Sequence, residues 1–182
     1  MKIFLENVNI GSTTGPNYFG SKLAQYLKHF NCDVNTLNKN DHDVQLCFIE
    51  SKTKTNSPLI QRLDGIYFNC NFDCNLMNRN IKQTYSNADG VVFQTNFNKD
   101  LIFSWFGEHK NYEIIRNGAD LPYISSVKDL WPDLDKWDNV WSCASNWHSY
   151  KRLNENVRYF LEHSSDKDCL IVAGKDPDYI VE

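Results

Sequence analysis

The chain has 182 residues, of which 41% are hydrophobic and 14% aromatic, enough for one domain of ordinary size or one domain with part of another. The formal net charge of −4 and the pI near 5.7 exclude an overall attraction to nucleic acid or to anionic membranes. No apolar run approaches the roughly 20 residues that a membrane helix needs, and the N-terminus reads as a first strand rather than as a signal peptide.

Strands and helices alternate over the first 118 residues. Short apolar runs predict strands within 2–8, 33–38, 43–50, 57–69, 89–95 and 111–118. Apolar residues at helical spacing predict three helices, with buried stripes at Phe19, Leu23, Leu27 and Phe30, at Met77, Ile81, Tyr85 and Ala88, and at Phe97, Leu101 and Trp105. Pro16 predicts that 11–20 is a loop, and Gly107 is expected to end the third helix. This order predicts an α/β fold with a parallel sheet that helices cover on both faces.

Asp64 and Gly65 interrupt the apolar run within 57–69. An Asp-Gly pair of this kind is typical of a hairpin turn. It is equally compatible with a polar step within or beside a buried strand, and the sequence leaves both interpretations open.

The segment 119–138 breaks the alternation, because it carries two prolines and many charges. We interpret it as a linker or crossover. The pattern then restarts with a strand at 139–146, a helix at 153–163 and a strand at 168–174. A unit of this size cannot bury a core alone, so it either extends the first sheet or begins a second domain.

Lys151 and Arg152 stand directly before the restarted helix. One interpretation is a solvated loop, with Glu155 in the first turn as local compensation for the charges. The functional interpretation is an anion site, in which the two cations and the free N–H groups of the helix start receive a diphosphate. The position after a buried strand favours the second interpretation, because ligands of open α/β sheets bind at the carboxyl ends of strands.

The loop after the first strand is a second candidate for a ligand site. Its residues Gly11 and Gly15 allow close approach by a ligand, although a plain structural turn explains them nearly as well. The loop lacks the G-x-G-x-x-G fingerprint of dinucleotide sites and the Gly-Lys-Ser/Thr of a P-loop. A dinucleotide-dependent oxidoreductase is therefore disfavoured.

The cysteines do not predict a metal site. The chain has six of them, Cys32, Cys47, Cys70, Cys74, Cys143 and Cys169. Several lie in apolar runs, which favours buried free thiols and, by default, a reducing, cytoplasmic location. Cys70 and Cys74 form the one close pair, and no second Cys/His pair accompanies them.

Five segments together resemble retaining GT-B glycosyltransferases of glycosyltransferase family 4. In chain order they are "GSTTGPNYFGSKLAQYL", "RLDGIYFN", "ADGVVFQTNFNKDLIFSWFG", "IIRNGAD" and "SNWHSYKRLNENVRYFLEH". The resemblance covers nearly the whole chain, and its last two segments are the most specific. It implies a Rossmann-like acceptor-side domain at 1–120, a linker at 121–138, and the truncated start of a second Rossmann-like, donor-binding domain at 139–182.

The resemblance also implies roles for particular residues. Lys151, assisted by Arg152, matches the position that neutralises the donor diphosphate, while His148 stands near the place where many members carry an arginine. The first loop, with Gly11, Gly15, Asn17 and Tyr18, matches a loop near the donor phosphates and the acceptor. Asp64 and Asn117 match polar positions on the acceptor side of the cleft, although a structural turn residue explains Asp64 almost as well and Asn117 equally well.

The paired glutamates that contact the donor in this family have no counterpart in the chain, so the catalytic residues stay unknown. The resemblance implies transfer of a sugar from a nucleotide-sugar to an unknown acceptor, with retention and without a metal or other cofactor. This chain alone would then transfer slowly or not at all, and its apolar C-terminal unit would favour self-association. The main alternative is a non-catalytic binding or interaction module of the same fold, and a less favoured one is another GT-B enzyme such as a nucleotide-sugar epimerase.

Overall fold

The computed structural model of the chain describes residues 1–12, 15–37, 41–68, 73–127, 133–148 and 151–175. The chain divides into two compact units, Met1–Ala119 and Asp120–Glu182. None of the helices in the described ranges is long and apolar enough to cross a membrane.

The first unit is built on a parallel sheet of six strands. They are β1 (Lys2–Glu6), β2 (Asp33–Asn35), β3 (Val44–Phe48), β4 (Leu59–Leu63), β5 (Gly90–Phe93) and β6 (Tyr112–Ile114), and they lie in the order β2-β1-β3-β4-β5-β6. The helices are α1 (Gly15–His29), α2 (Cys74–Asn87) and α3 (Asn96–Phe106). The α/β, Rossmann-like architecture predicted from the sequence is confirmed.

Helices cover both faces of this sheet. On one face, Phe19 of α1 packs against Phe48 of β3, with 6.1 Å between ring centroids. On the other face, Gln61 of β4 donates a hydrogen bond to the Ile81 carbonyl of α2 at 3.2 Å. The main apolar core lies on this second face and consists of Leu63, Ile66, Ile81, Tyr85, Ala88, Val91, Phe93 and Ile102.

Several sequence predictions about these elements are wrong. Pro16 lies inside α1, because a proline in the first helical turn removes only an N–H that has no intrahelical partner. The stripe of α3 is shifted by one residue: Asn98 and Ile102 are buried, whereas Phe97 is 73% exposed. Two further residues expected in buried stripes are exposed: Phe30, which lies just beyond α1, and Met77 in the first turn of α2.

The hairpin interpretation of Asp64 and Gly65 is also wrong. β4 pairs in parallel with β3 on one side and with β5 on the other, so the chain does not reverse after Leu63. Asp64 instead follows the carboxyl end of a central strand. Gly107 ends α3 as predicted, with a φ of 91°.

The connection between β3 and β4 contains no helix and is held by a buried carboxylate. Glu6, only 5% exposed, accepts hydrogen bonds from Gln45 Nε2 (2.6 Å), Ser51 Oγ (2.7 Å) and the Lys52 N–H (2.8 Å). The neighbouring Cys47 is fully buried, and this burial, with the charge of Glu6, raises the pKa of its thiol to about 12. Cys47 is therefore the inert, buried thiol that the sequence predicts.

The second unit contains a parallel β-α-β arrangement, as predicted. β7 (Asn139–Asn146) pairs with β8 (Asp168–Lys175), and α5 (Leu153–His163) connects them. Trp141 of β7 packs edge-on against Phe160 of α5 with 5.9 Å between ring centroids. Before β7, the predicted linker contains the short helix α4 (Leu121–Ser126) and a 3-10 turn at Leu134–Lys136, while 128–132 lie outside the described residues.

Candidate functional site

The strand order places a candidate site at one edge of the first sheet. From β1 the chain moves outward to β2, and it then returns to the other side of β1 to form β3. The connections that leave β1 and β3 therefore diverge, which opens a crevice at the carboxyl ends of these strands. Ligands of open α/β sheets bind in such crevices.

Two residues with left-handed backbone conformations flank this crevice. Asn7, after β1, has a φ of 62°, and Ile49, after β3, has a φ of 69°. The Glu50 N–H donates to the Phe48 carbonyl at 2.8 Å, so Ile49 is the centre of a γ-turn. For a β-branched residue this backbone conformation costs on the order of 1–3 kcal/mol, and such strained conformations occur most often at functional sites.

Arg62 is the centre of the polar contacts at this edge. Its residue exposure is 5%, and its guanidinium donates hydrogen bonds to Asp64 Oδ1 and, at 3.1 Å, to Asn117 Oδ1. Asn117 in turn donates from Nδ2 to Gln94 Oε1 at 3.0 Å. The sheet thus brings together the predicted residues Asp64 and Asn117, which are 53 positions apart, through a residue that we did not predict.

Helix α1 reaches the same group through an aromatic ring. The Arg62 guanidinium carbon lies 3.9 Å from the ring centroid of Phe19 and 5.1 Å from that of Phe48. Such cation–π contacts stabilise a buried guanidinium. Arg62 consequently joins the start of α1 to the ends of β3, β4 and β6.

The residues predicted for a site in the first loop each have a different place in the structure. Asn17 closes the loop, because its Oδ1 accepts from the Asn9 N–H at 2.9 Å and its Nδ2 donates to Ser12 Oγ at 3.3 Å. Gly11 has a φ of 98°, which explains a glycine there, and Gly15 is the first residue of α1. Tyr18 is 45% exposed, with the Lys22 ammonium 5.7 Å from its ring centroid.

In the second unit, Lys151 and Arg152 lie at the start of α5, as the sequence predicts. Both are exposed. The Lys151 N–H donates to the His148 carbonyl at 2.7 Å, and Arg152 is the N-cap residue in a left-handed conformation with a φ of 57°. No side chain caps the helix at this position. The helix start thus combines two cations with backbone N–H groups, the arrangement that favours anions.

The sequence identifies no catalytic residue. Among the described residues, no group of three or more His, Cys, Asp or Glu side chains is arranged to hold a metal ion. Cys70, one half of the close cysteine pair, lies outside the described residues.

Comparison with solved structures shows a structural likeness. No protein-family model matches the chain, and no curated protein matches it. The chain is similar in structure to an alpha-glucosyltransferase (AGT) in complex with UDP, with a TM-score of 0.55 and 12% sequence identity. The likeness covers 97% of this chain and 59% of the length of that one, and at this identity it shows the fold alone.

Proposed function

We propose that this chain belongs to a GT-B glycosyltransferase that transfers a sugar from a nucleotide-sugar to an acceptor, with retention as in family 4. The observation that carries the proposal is the likeness over 97% of the chain to an alpha-glucosyltransferase that binds UDP. The family 4 motifs described above supply independent support from the sequence. Because the chain spans 59% of that structure's length, the activity is proposed for the intact gene product.

In this proposal the second unit holds the donor diphosphate. Lys151 and Arg152 supply positive charge, and the start of α5 supplies backbone N–H donors. As the bond between the sugar and the diphosphate breaks, negative charge develops on the leaving oxygen. Fixed cations and N–H groups stabilise that charge without requiring a metal ion.

The first unit holds the acceptor. Asp64 is about a quarter exposed and lies at the carboxyl edge beside Asn117, so hydrogen-bonding groups are available to a hydroxyl of the acceptor. Gly11 in the loop after β1, and Gly15 and Tyr18 at the start of α1, follow the same edge of the sheet. We infer that 121–138 connects this acceptor side to the donor side.

Donor binding is tested by titrating UDP into the intact gene product and into its Lys151→Ala variant. We expect UDP to bind and the variant to bind roughly tenfold more weakly, because one charge-assisted contact to the diphosphate is lost. Lys167→Ala is the matched control, since Lys167 is an exposed lysine of the same unit whose ion pair with Asp138 spans 3.8 Å. Calorimetry gives the two dissociation constants.

Equal affinity in the Lys151→Ala and Lys167→Ala variants would reject the role of Lys151. Binding of NAD(P) in place of UDP would indicate an oxidoreductase. Failure to bind any nucleotide would favour the non-catalytic module of the same fold.

A further inference from the structure

The Arg62 side chain is buried, unlike the side chains of an ordinary surface ion pair. Its side chain is 6% exposed, whereas that of its partner Asp64 is 23% exposed. Burying a guanidinium costs several kcal/mol unless charge and hydrogen bonds compensate it. A sequence retains such a group more readily where its geometry is used than where an apolar residue would fill the same space.

The contacts of Arg62 fix the plane of its guanidinium. The guanidinium carbon lies 3.9 Å from the ring centroid of Phe19 and 5.1 Å from that of Phe48. The guanidinium donates hydrogen bonds to Asp64 and Asn117. These four residues come from four separate segments of the chain. A guanidinium held in this way donates hydrogen bonds in fixed directions and so orients its partners, whereas the flexible ammonium of a lysine does not.

Asp64 and Asn117 both reach solvent, and Asp64 is the charged partner of the two. Its Oδ1 accepts the hydrogen bond from Arg62, and among the described residues none donates a hydrogen bond to Oδ2. With the carboxylate anchored through one oxygen, the other keeps a constant direction. Oδ2 is then a preset acceptor for a substrate hydroxyl at the carboxyl edge of the sheet.

We propose that Arg62 is a positioning residue of the acceptor site: it orients the Asp64 carboxylate, which accepts a hydrogen bond from the acceptor hydroxyl. This inference rests on the proposed transferase function and deepens it. Arg62 does not touch the substrate; it acts through Asp64. The link through Asn117 to Gln94 keeps the ends of β4, β5 and β6 in register around the site.

The test uses UDP-glucose as the donor and water in the acceptor position, with the intact gene product. In this reaction the water oxygen bonds to the anomeric carbon, and the bond from that carbon to the phosphate oxygen breaks. UDP leaves with the electron pair, and the proton of the water passes to solvent. The rate of UDP release is divided by the number of UDP-binding sites from calorimetry, so that misfolded protein does not lower it.

Three variants are compared: Arg62→Lys, Asp64→Asn and the double variant. We expect each single variant to lower the rate per site by about tenfold or more, with the Kd of UDP unchanged within about twofold. The double variant is expected to be no slower than the slower single variant, because Arg62 acts through Asp64. Arg79→Lys, an exposed arginine of α2, is the matched control.

A second readout is independent of turnover. The side-chain amide NMR signals of Asn117 and Gln94 should shift in Arg62→Lys and stay in place in Arg79→Lys. Unchanged amide signals, an unchanged rate per site, or additive effects in the double variant would each overturn the positioning role. A wild type that binds no UDP and releases none would instead overturn the transferase function, and with it the role of Arg62 in transfer.

Discussion

Replacing Gly174 by alanine is expected to disrupt the second unit. Gly174 has a φ of 139°, a conformation that L-residues rarely adopt. A Cβ there would overlap the Ser145 carbonyl oxygen and would lie 2.8 Å from Trp147 Nε1. Ser145 is the pairing partner of Gly174 across β7 and β8, so the clash cannot be relieved without breaking the strand pair. We expect a loss of at least about 3 kcal/mol in the stability of this unit.

The same substitution bears on the proposed diphosphate site. Trp147, 7% exposed, donates from Nε1 to the Ala173 carbonyl at 3.1 Å and fixes the end of β7, from which the chain runs to Lys151. Hydrogen exchange of the amides of β7 and β8 measures the effect directly. Gly118→Ala is the control, because a Cβ at Gly118 meets no atom within 4 Å. If the amides of β7 and β8 exchanged at the same rate in Gly174→Ala and Gly118→Ala, the predicted effect of the clash would be wrong.

Replacing Glu6 by alanine is expected to destabilise the first unit by about 2–3 kcal/mol. The buried carboxylate accepts hydrogen bonds from Gln45, Ser51 and the Lys52 N–H, and its removal leaves the backbone donor of Lys52 without this acceptor. Hydrogen bonds to charged groups contribute more than neutral ones, and an unsatisfied buried donor adds its own cost. The loop 49–58 would lose the two hydrogen bonds, from Ser51 and Lys52, that tie it to β1.

Urea unfolding measures this loss of stability. Glu108→Ala removes an exposed glutamate from the same unit and is expected to change stability by less than about 0.5 kcal/mol. Glu6→Gln is expected to be intermediate, because its amide keeps one acceptor oxygen. If Glu6→Ala were as stable as Glu108→Ala, the carboxylate would not be what holds the loop.

Most strands were predictable because they lie in short, mainly apolar runs, and the parallel arrangement followed from their alternation with helices. The buried face of α3 was not predictable from the sequence. Phe97 and Ile102 are both apolar, and only packing against the sheet decides which of them is buried. Pro16 was misplaced because proline is tolerated in the first turn of a helix, so it marks the region of the boundary and not the boundary itself.

The candidate site was predictable only in part. Lys151 and Arg152 were selected because they stand between a predicted strand and a helix. Asp64 and Asn117 were selected because they match polar positions of the family that the sequence resembles. Arg62 was missed because its partners lie at positions 19, 48, 64 and 117, and spacing along the chain does not show that they meet. One signal could have revealed it: Gln61 and Arg62 are adjacent polar residues in a strand that helices cover on both faces.

Glu6 carried a similar signal, as a charged residue at the end of the first apolar run. Its three donors come from β3 and from the loop after it, and a loop without periodicity gives no indication that it folds over a sheet face. In this fold, buried polar residues in otherwise apolar strands are therefore the positions whose contacts the sequence pattern does not predict.

The measurement that tests the central claim most directly is turnover of UDP-sugars by the intact gene product. Proton NMR follows the anomeric signals while UDP release is recorded. The proposed function predicts that at least one α-linked UDP-sugar is consumed, that UDP appears in equal amount, and that the new anomeric signal is first seen in the α configuration. A protein that binds UDP and yet consumes no sugar nucleotide with any acceptor or with water would contradict the transferase and favour the binding module.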